Sequence, residues 1–117
     1  DDAKYGFWVA KAMGQVDIGQ TVVIKDKMVM AVEAIEGTDR CIERGGKIAK
    51  KGAVVVKTAK PSQDTRFDVP AFGLATLKTM KKHHASVIAV EAGKTIIVDQ
   101  QKAIEFADAN NIVVMAI

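Results

Sequence analysis

Lys57, Lys60 and Arg66 alternate with Asp64 and Asp68 in one short stretch, with Gln63 beside the first carboxylate. Cations at this spacing suit phosphate oxygens, and interleaved carboxylates suit a hard metal ion or a water to be activated. The stretch follows Val54, Val55 and Val56, three β-branched residues that favour the interior of a sheet. Pro61 and Pro70 hold Lys60 and Val69 extended and forbid a helix between them, so the polar groups sit on irregular backbone at a strand end. In open α/β sheets that is where ligands bind. On residue types alone, a solvated loop shaped by an Arg66 pair with Asp64 or Asp68 accounts for the same composition.

A second corner is Glu36-Gly37-Thr38-Asp39, where a strand gives way to a helix. Thr38 is placed to cap that helix, and Asp39 complements the positive end of its dipole. The free N–H groups of such a turn can also receive a phosphate. Glu33, on a strand rich in valine and methionine, is either on the solvent face or a paired, partly buried carboxylate beside a cation or metal. His83 and His84 are adjacent on a predicted helix and do not face one another, and neither a third His nor a second Cys completes a tetrahedral zinc set.

These groups need a scaffold, and 117 residues with 49% hydrophobic content are enough for one self-supporting domain, residues 1–117, without disulfides. A single cysteine, Cys41, makes no internal bridge, and with no leader evident the expected compartment is the reducing cytoplasm. No apolar run reaches the roughly 20 residues that span a bilayer, so membrane contact would be peripheral. The net charge of +3 is scattered and the aromatics are not interleaved with the lysines, which argues against nucleic acid as a partner.

The elements that position the site read in order as helix, β-hairpin, helix, strand, polar loop, helix, strand, turn, strand, helix and strand. Residues 3–13 put Tyr5, Trp8, Val9, Ala12 and Met13 on one helical stripe, whose aromatic pair is expected to pack on the sheet, with Gly14 as the stop. Residues 21–25 and 28–34 form a hairpin around Asp26-Lys27, of open turn type. The helix from Thr38 buries Cys41, Ile42 and Ile48 and is weakened by Gly45-Gly46. The helix after Gly73 turns Leu74, Leu77 and Met80 inward, and Asp99 caps a helix containing Ala103, Ile104 and Ala107. Ala-Val-Glu-Ala occurs at Ala31 and again at Ala89, each in an expected hairpin strand, a pattern consistent with internal duplication. The fold class is α/β, a single domain with a mixed β-sheet packed by helices.

Four separated motifs, Asp17-Ile-Gly-Gln20, the 31–39 segment, the 57–70 segment and Ile88-Ala-Val-Glu-Ala-Gly93, resemble in content and order the C-terminal domain of one family. That family is the UDP-2,3-diacylglucosamine pyrophosphatases of lipid A biosynthesis that are unrelated to calcineurin-like phosphoesterases. The resemblance implies Mg²⁺-dependent hydrolysis of the substrate's pyrophosphate bond to lipid X and UMP at the cytoplasmic face of the inner membrane, the substrate held against an N-terminal domain that this chain lacks. It leaves a homo-oligomer possible. Within that chemistry Asp64 is the first choice for the essential carboxylate, since it lies between Lys60 and Arg66 and follows Gln63, which can orient a water. Asp68 is a further candidate; Asp64 with Glu33 or Asp68 would hold the metal. Lys57, Lys60 and Arg66, with Gly37, Thr38 and Asp39, would receive phosphates. A non-catalytic phosphate- or nucleotide-binding module would keep the cations and tolerate Asp64→Asn. A purely structural domain would tolerate loss of the whole set and rely on an exposed apolar patch.

Overall fold

The computed structural model describes residues 1–59 and 70–117. They comprise α1 (Asp2–Gln15), β1 (Thr21–Lys25), β2 (Met28–Val32), α2 (Thr38–Ala49), β3 (Ala53–Lys57), β4 (Ala71–Phe72), α3 (Leu74–Lys82), β5 (Ala85–Val90), β6 (Ile96–Ile97), α4 (Gln100–Ala109) and β7 (Val113–Ala116). Five strands form one sheet in the order β2-β1-β3-β5-β7. The β1–β2 hairpin is antiparallel and pairs antiparallel with β3, while β3, β5 and β7 run parallel. This is the α/β class with a mixed sheet that the alternation of elements predicts.

Strand β3 is central because it is apolar on both faces. Val55 packs into the core shared by α2, α3 and α4, and Val56 into the core beneath α1. Val54 is only partly buried. The result is three layers, with three helices on one face and α1 alone on the other. A nearly continuous apolar strand is what a doubly covered sheet requires.

The face that α1 buries is not the aromatic stripe. Trp8 is 68% exposed and stacks on the partly buried Tyr5, whereas Ala3, Gly6, Ala10 and Met13 meet the sheet. Backbone proximity explains the choice: a Cβ at Gly6 would stand 2.5 Å from Val56 Cγ2, so only a small-residue face fits so close. The same reason corrects α2. Gly45 lies inside the helix, where a Cβ would sit 2.6 Å from that of Val23, and Ile48 is 58% exposed. Gly45 therefore permits helix–sheet contact that outweighs its poor helix propensity.

Element ends also differ from expectation. Helix α1 runs past Gly14 to Gln15, and the left-handed residue after it is Asp17. Gly37, with φ of 91°, is the N-cap of α2, and Thr38 is its first helical residue. Asp26 and Lys27 both have positive φ, 52° and 58°, which defines a type I′ turn. The Asp2 carboxylate accepts from both their N–H groups, at 3.1 and 2.9 Å, and so holds a turn that lacks glycine. Ile104 remains 40% exposed on α4.

The second Ala-Val-Glu-Ala does not lie in a hairpin. Strand β5 pairs parallel on both sides, and β6 joins β4 in a separate two-stranded parallel sheet. The repeated tetrapeptide occupies an antiparallel edge strand once and an interior parallel strand once, so the fold gives no support to a duplication.

Candidate functional site at the carboxyl ends of the strands

Lys57 closes β3 with a side chain that is almost wholly buried, the residue being 6% exposed. A buried ammonium requires oxygen partners. One is Thr38: Lys57 Nζ donates to Thr38 Oγ1 at 2.7 Å. Around the same hydroxyl lie Thr21 Oγ1 at 3.3 Å and Glu33 Oε1 at 3.5 Å. The antiparallel pairing of β1 with β3 makes this possible, since it sets Thr21 opposite Lys57. Glu33 follows β2 directly, and its N–H donates to the Thr21 carbonyl at 2.9 Å.

The N-terminus of α2 opens onto this cluster without a side-chain cap. Its first-turn N–H groups have no acceptor within the helix, and the dipole favours an anion there. Asp39, in that turn, accepts from Thr76 Oγ1 at 2.9 Å and so ties α2 to α3. Glu36 pairs with Arg44 in a two-bond fork, at 2.5 and 3.2 Å. The Arg44 hydrogen bond holds the Glu36 carboxyl below its ordinary range, so this carboxylate is engaged in shaping the corner. Cys41 lies beneath, and burial pushes its thiol up to about 12, which leaves it inert as a nucleophile.

Beside the corner lies a hollow of about 440 Å³ lined by Asp17, Ile18, Gln20, Glu33, Ile35 and Gly37, among others. Ile35 projects fully into solvent at 103% exposure. The buried Gln20 amide nitrogen has no acceptor among the described residues.

A second arrangement stands at the ends of β3 and β5. Glu91 Oε1 accepts from the Ala59 N–H at 3.0 Å, and Lys11 Nζ donates to the Ala59 carbonyl at 3.1 Å. The two side chains also pair with each other at 2.8 Å. Burial alone would raise the Glu91 carboxyl, but hydrogen bonds from Lys11 and Ala59 outweigh it and hold the group below its ordinary value. Both polar groups of one residue at the mouth of β3 are thus fixed by one ion pair. Residue-type reasoning did not find Lys11 or Glu91, although Glu91 carried a signal as an acid at the end of an apolar strand.

The structure thus brings Lys57, Thr38 and Glu33 together, with Gly37 and Asp39 adjoining. Lys60, Gln63, Asp64, Arg66 and Asp68 lie outside the described residues. Among the described residues no group of three Asp, Glu, His or Cys side chains converges as a metal cage. The Thr38 hydroxyl already accepts from the Lys57 ammonium, so among these groups the Glu33 carboxylate is the one of a type that Mg²⁺ takes.

An α/β domain with a mixed sheet whose polar groups gather at the carboxyl ends of its parallel strands is of the class in which ligands bind at that edge. Comparison with known proteins narrows the class. Residues 1–115 match the family model of the LpxI C-terminal domain, and the chain belongs to that family. It is 35% identical over 117 aligned residues to the UDP-2,3-diacylglucosamine pyrophosphatase LpxI of Caulobacter vibrioides. The alignment takes in 93% of this chain but only 42% of that relative.

Proposed function

We propose that this chain is the C-terminal part of an enzyme that hydrolyses the pyrophosphate bond of UDP-2,3-diacylglucosamine, giving lipid X and UMP, in lipid A biosynthesis. The supporting observation is the buried Lys57 ammonium joined to Thr38 at the uncapped start of α2, since this sets a cation and helix N–H groups side by side for phosphate oxygens. Family membership supplies the substrate class.

In this reading water adds to one phosphorus, the bridging P–O bond breaks, and the departing phosphate keeps the bonding electron pair. Catalysis rests on positioning and charge stabilisation more than on covalent work by the protein. Lys57 and the first turn of α2, with Gly37, Thr38 and Asp39, hold phosphate oxygens; Lys60 and Arg66 add further contacts. Asp64, aided by Gln63 or Asp68, orients the water and receives its proton. Glu33 and Asp64 would hold Mg²⁺, which would supply charge neutralisation at the phosphates. The Lys11–Glu91 pair fixes Ala59, the residue from which the 60–69 segment departs.

The remaining part of the enzyme completes the substrate cradle as an N-terminal domain. Among the described residues no helix is long and apolar enough to cross a membrane, and the proposed contact with the inner membrane is peripheral, on its cytoplasmic face. The test is UMP release from UDP-2,3-diacylglucosamine by the full-length protein with Mg²⁺ and with EDTA. Release that stops with EDTA is expected. Failure to release UMP under any divalent ion would overturn the reading.

A further inference from the structure

The opposite end of the same strands carries a cavity of about 630 Å³. Its lining comes from four connections: Lys25 at the end of β1, Lys51 and Gly52 before β3, Lys81 and His84 before β5, and Asn110 and Asn111 before β7. Ser86 adds a hydroxyl, and buried Ala85 and Ile112 contribute apolar surface. None of its described lining residues is Asp or Glu. The position is remote from Lys57, because β3 starts beside the cavity and ends at the Thr38 cluster.

Lysines near helix C-termini ordinarily complement the dipole. Lys25 does so, donating to the Ala49 carbonyl at 3.0 Å. The other ends are closed by their own chain: Lys50 N–H bonds to the Gly46 carbonyl, His83 N–H to Thr79 and Asn110 N–H to Phe106. Among the described residues the side chains of Lys51, Lys81 and His84 make no hydrogen bond or ion pair. Lys51 and Lys81, with Lys25 beside them, therefore line one cavity that has no carboxylate among its described lining residues. Like charges so gathered repel one another, and a bound anion would reverse the sign of that interaction.

From this convergence we infer that the cavity at the amino ends of β3, β5 and β7 is a second anion site, which takes a phosphate group carried on a small organic body. Lys51 and Lys81 supply the charge. The Asn110 and Asn111 amides and the Ser86 hydroxyl supply directional bonds, and Ala85 with Ile112 receives the carbon portion. The volume exceeds that of a bare phosphate and suits a sugar phosphate or a phosphoglycerol headgroup. The inference does not depend on the pyrophosphatase reading.

Two arms distinguish a soluble source from a lipid one. In the first, glycerol 1-phosphate is titrated into ¹⁵N-labelled full-length protein while the side-chain amides of Asn110 and Asn111 are followed. In the second, the protein is sedimented with vesicles of phosphatidylglycerol in phosphatidylcholine, against phosphatidylcholine alone. Saturable amide shifts identify a soluble phosphate ester, and pelleting only with the anionic vesicles identifies a headgroup; either supports the site. In whichever arm binds, Lys51→Gln/Lys81→Gln is expected to weaken it by at least about tenfold. Lys78→Gln/Lys102→Gln, equal in charge but outside the cavity, is expected to leave it within about twofold. Absence of binding in both arms, or equal loss in the two double variants, overturns the site.

Discussion

At the carboxyl ends of β3 and β5 the charged groups hold one another and the backbone: Lys57 meets Thr38, and Lys11 with Glu91 grips both polar groups of Ala59. At the amino ends Lys51 and Lys81 face a cavity with no carboxylate on its described walls. The first end is buried and fixed before any ligand arrives, the second exposed and electrostatically incomplete. Pre-organisation is the property that chemistry needs, because a donor already aimed at the developing charge costs no rearrangement during reaction. The contrast is the one the proposed reading requires, with catalysis at the carboxyl end and binding alone at the amino end.

The largest break in that contrast should come from Lys57→Met in the full-length enzyme. Removing a buried, already positioned cation that the proposed reading sets on a phosphate is expected to lower kcat/KM by roughly a hundredfold, read by steady-state UMP release. An unchanged kcat/KM would remove Lys57 from the site.

Glu91→Ala tests whether the second arrangement carries real stabilisation. The change leaves the Ala59 N–H and the Lys11 ammonium without their carboxylate, and an expected loss of about 1–3 kcal/mol is measurable by urea unfolding at neutral pH. The pH dependence has a defined sign. The folded-state Glu91 pKa lies below its ordinary value of 4.5, so its contribution is complete above about pH 4.5 and disappears as pH falls through the folded value. The wild-type protein should therefore lose stability on acidification more than Glu91→Ala, the two converging at low pH. A constant gap between them would mean that the ion pair is not the source.

The smallest effect is expected at the amino end. Lys51→Gln/Lys81→Gln should move unfolding free energy by no more than about 0.5 kcal/mol, since neither side chain has a partner to lose among the described residues. A drop of more than about 1 kcal/mol would show that these lysines support the fold.

How much of this was legible in the sequence depended on whether the cause was local. The run Val54-Val55-Val56 declares a buried strand, and Lys57 just beyond it declares a polar group at a strand end; both hold except that Val54 is only partly buried. Thr38 reads locally as a cap, whereas its hydroxyl accepts from Lys57, a contact between the start of α2 and the end of β3 across 19 positions. Lys11 and Glu91 lie on α1 and just beyond β5, and nothing local in either segment reports the other. The α1 face was misread for a different reason. Hydrophobic periodicity rewards large side chains such as Trp8, while helix–sheet proximity selects Ala3, Gly6 and Ala10, which score little on any apolar scale. The β4–β6 pairing rests on two residues per strand, too few for a period to show.

The central claim is that the carboxyl end of β3 leads into the catalytic segment, and Asp64→Ala in the full-length protein tests it most directly when turnover and substrate affinity are measured together. A carboxylate that orients water or holds Mg²⁺ acts mainly in the transition state. UMP release should therefore fall to background while UDP-2,3-diacylglucosamine still binds within a few-fold of the wild-type affinity. Wild-type turnover with unchanged affinity would contradict the account and move the essential carboxylate to Glu36 or Asp39.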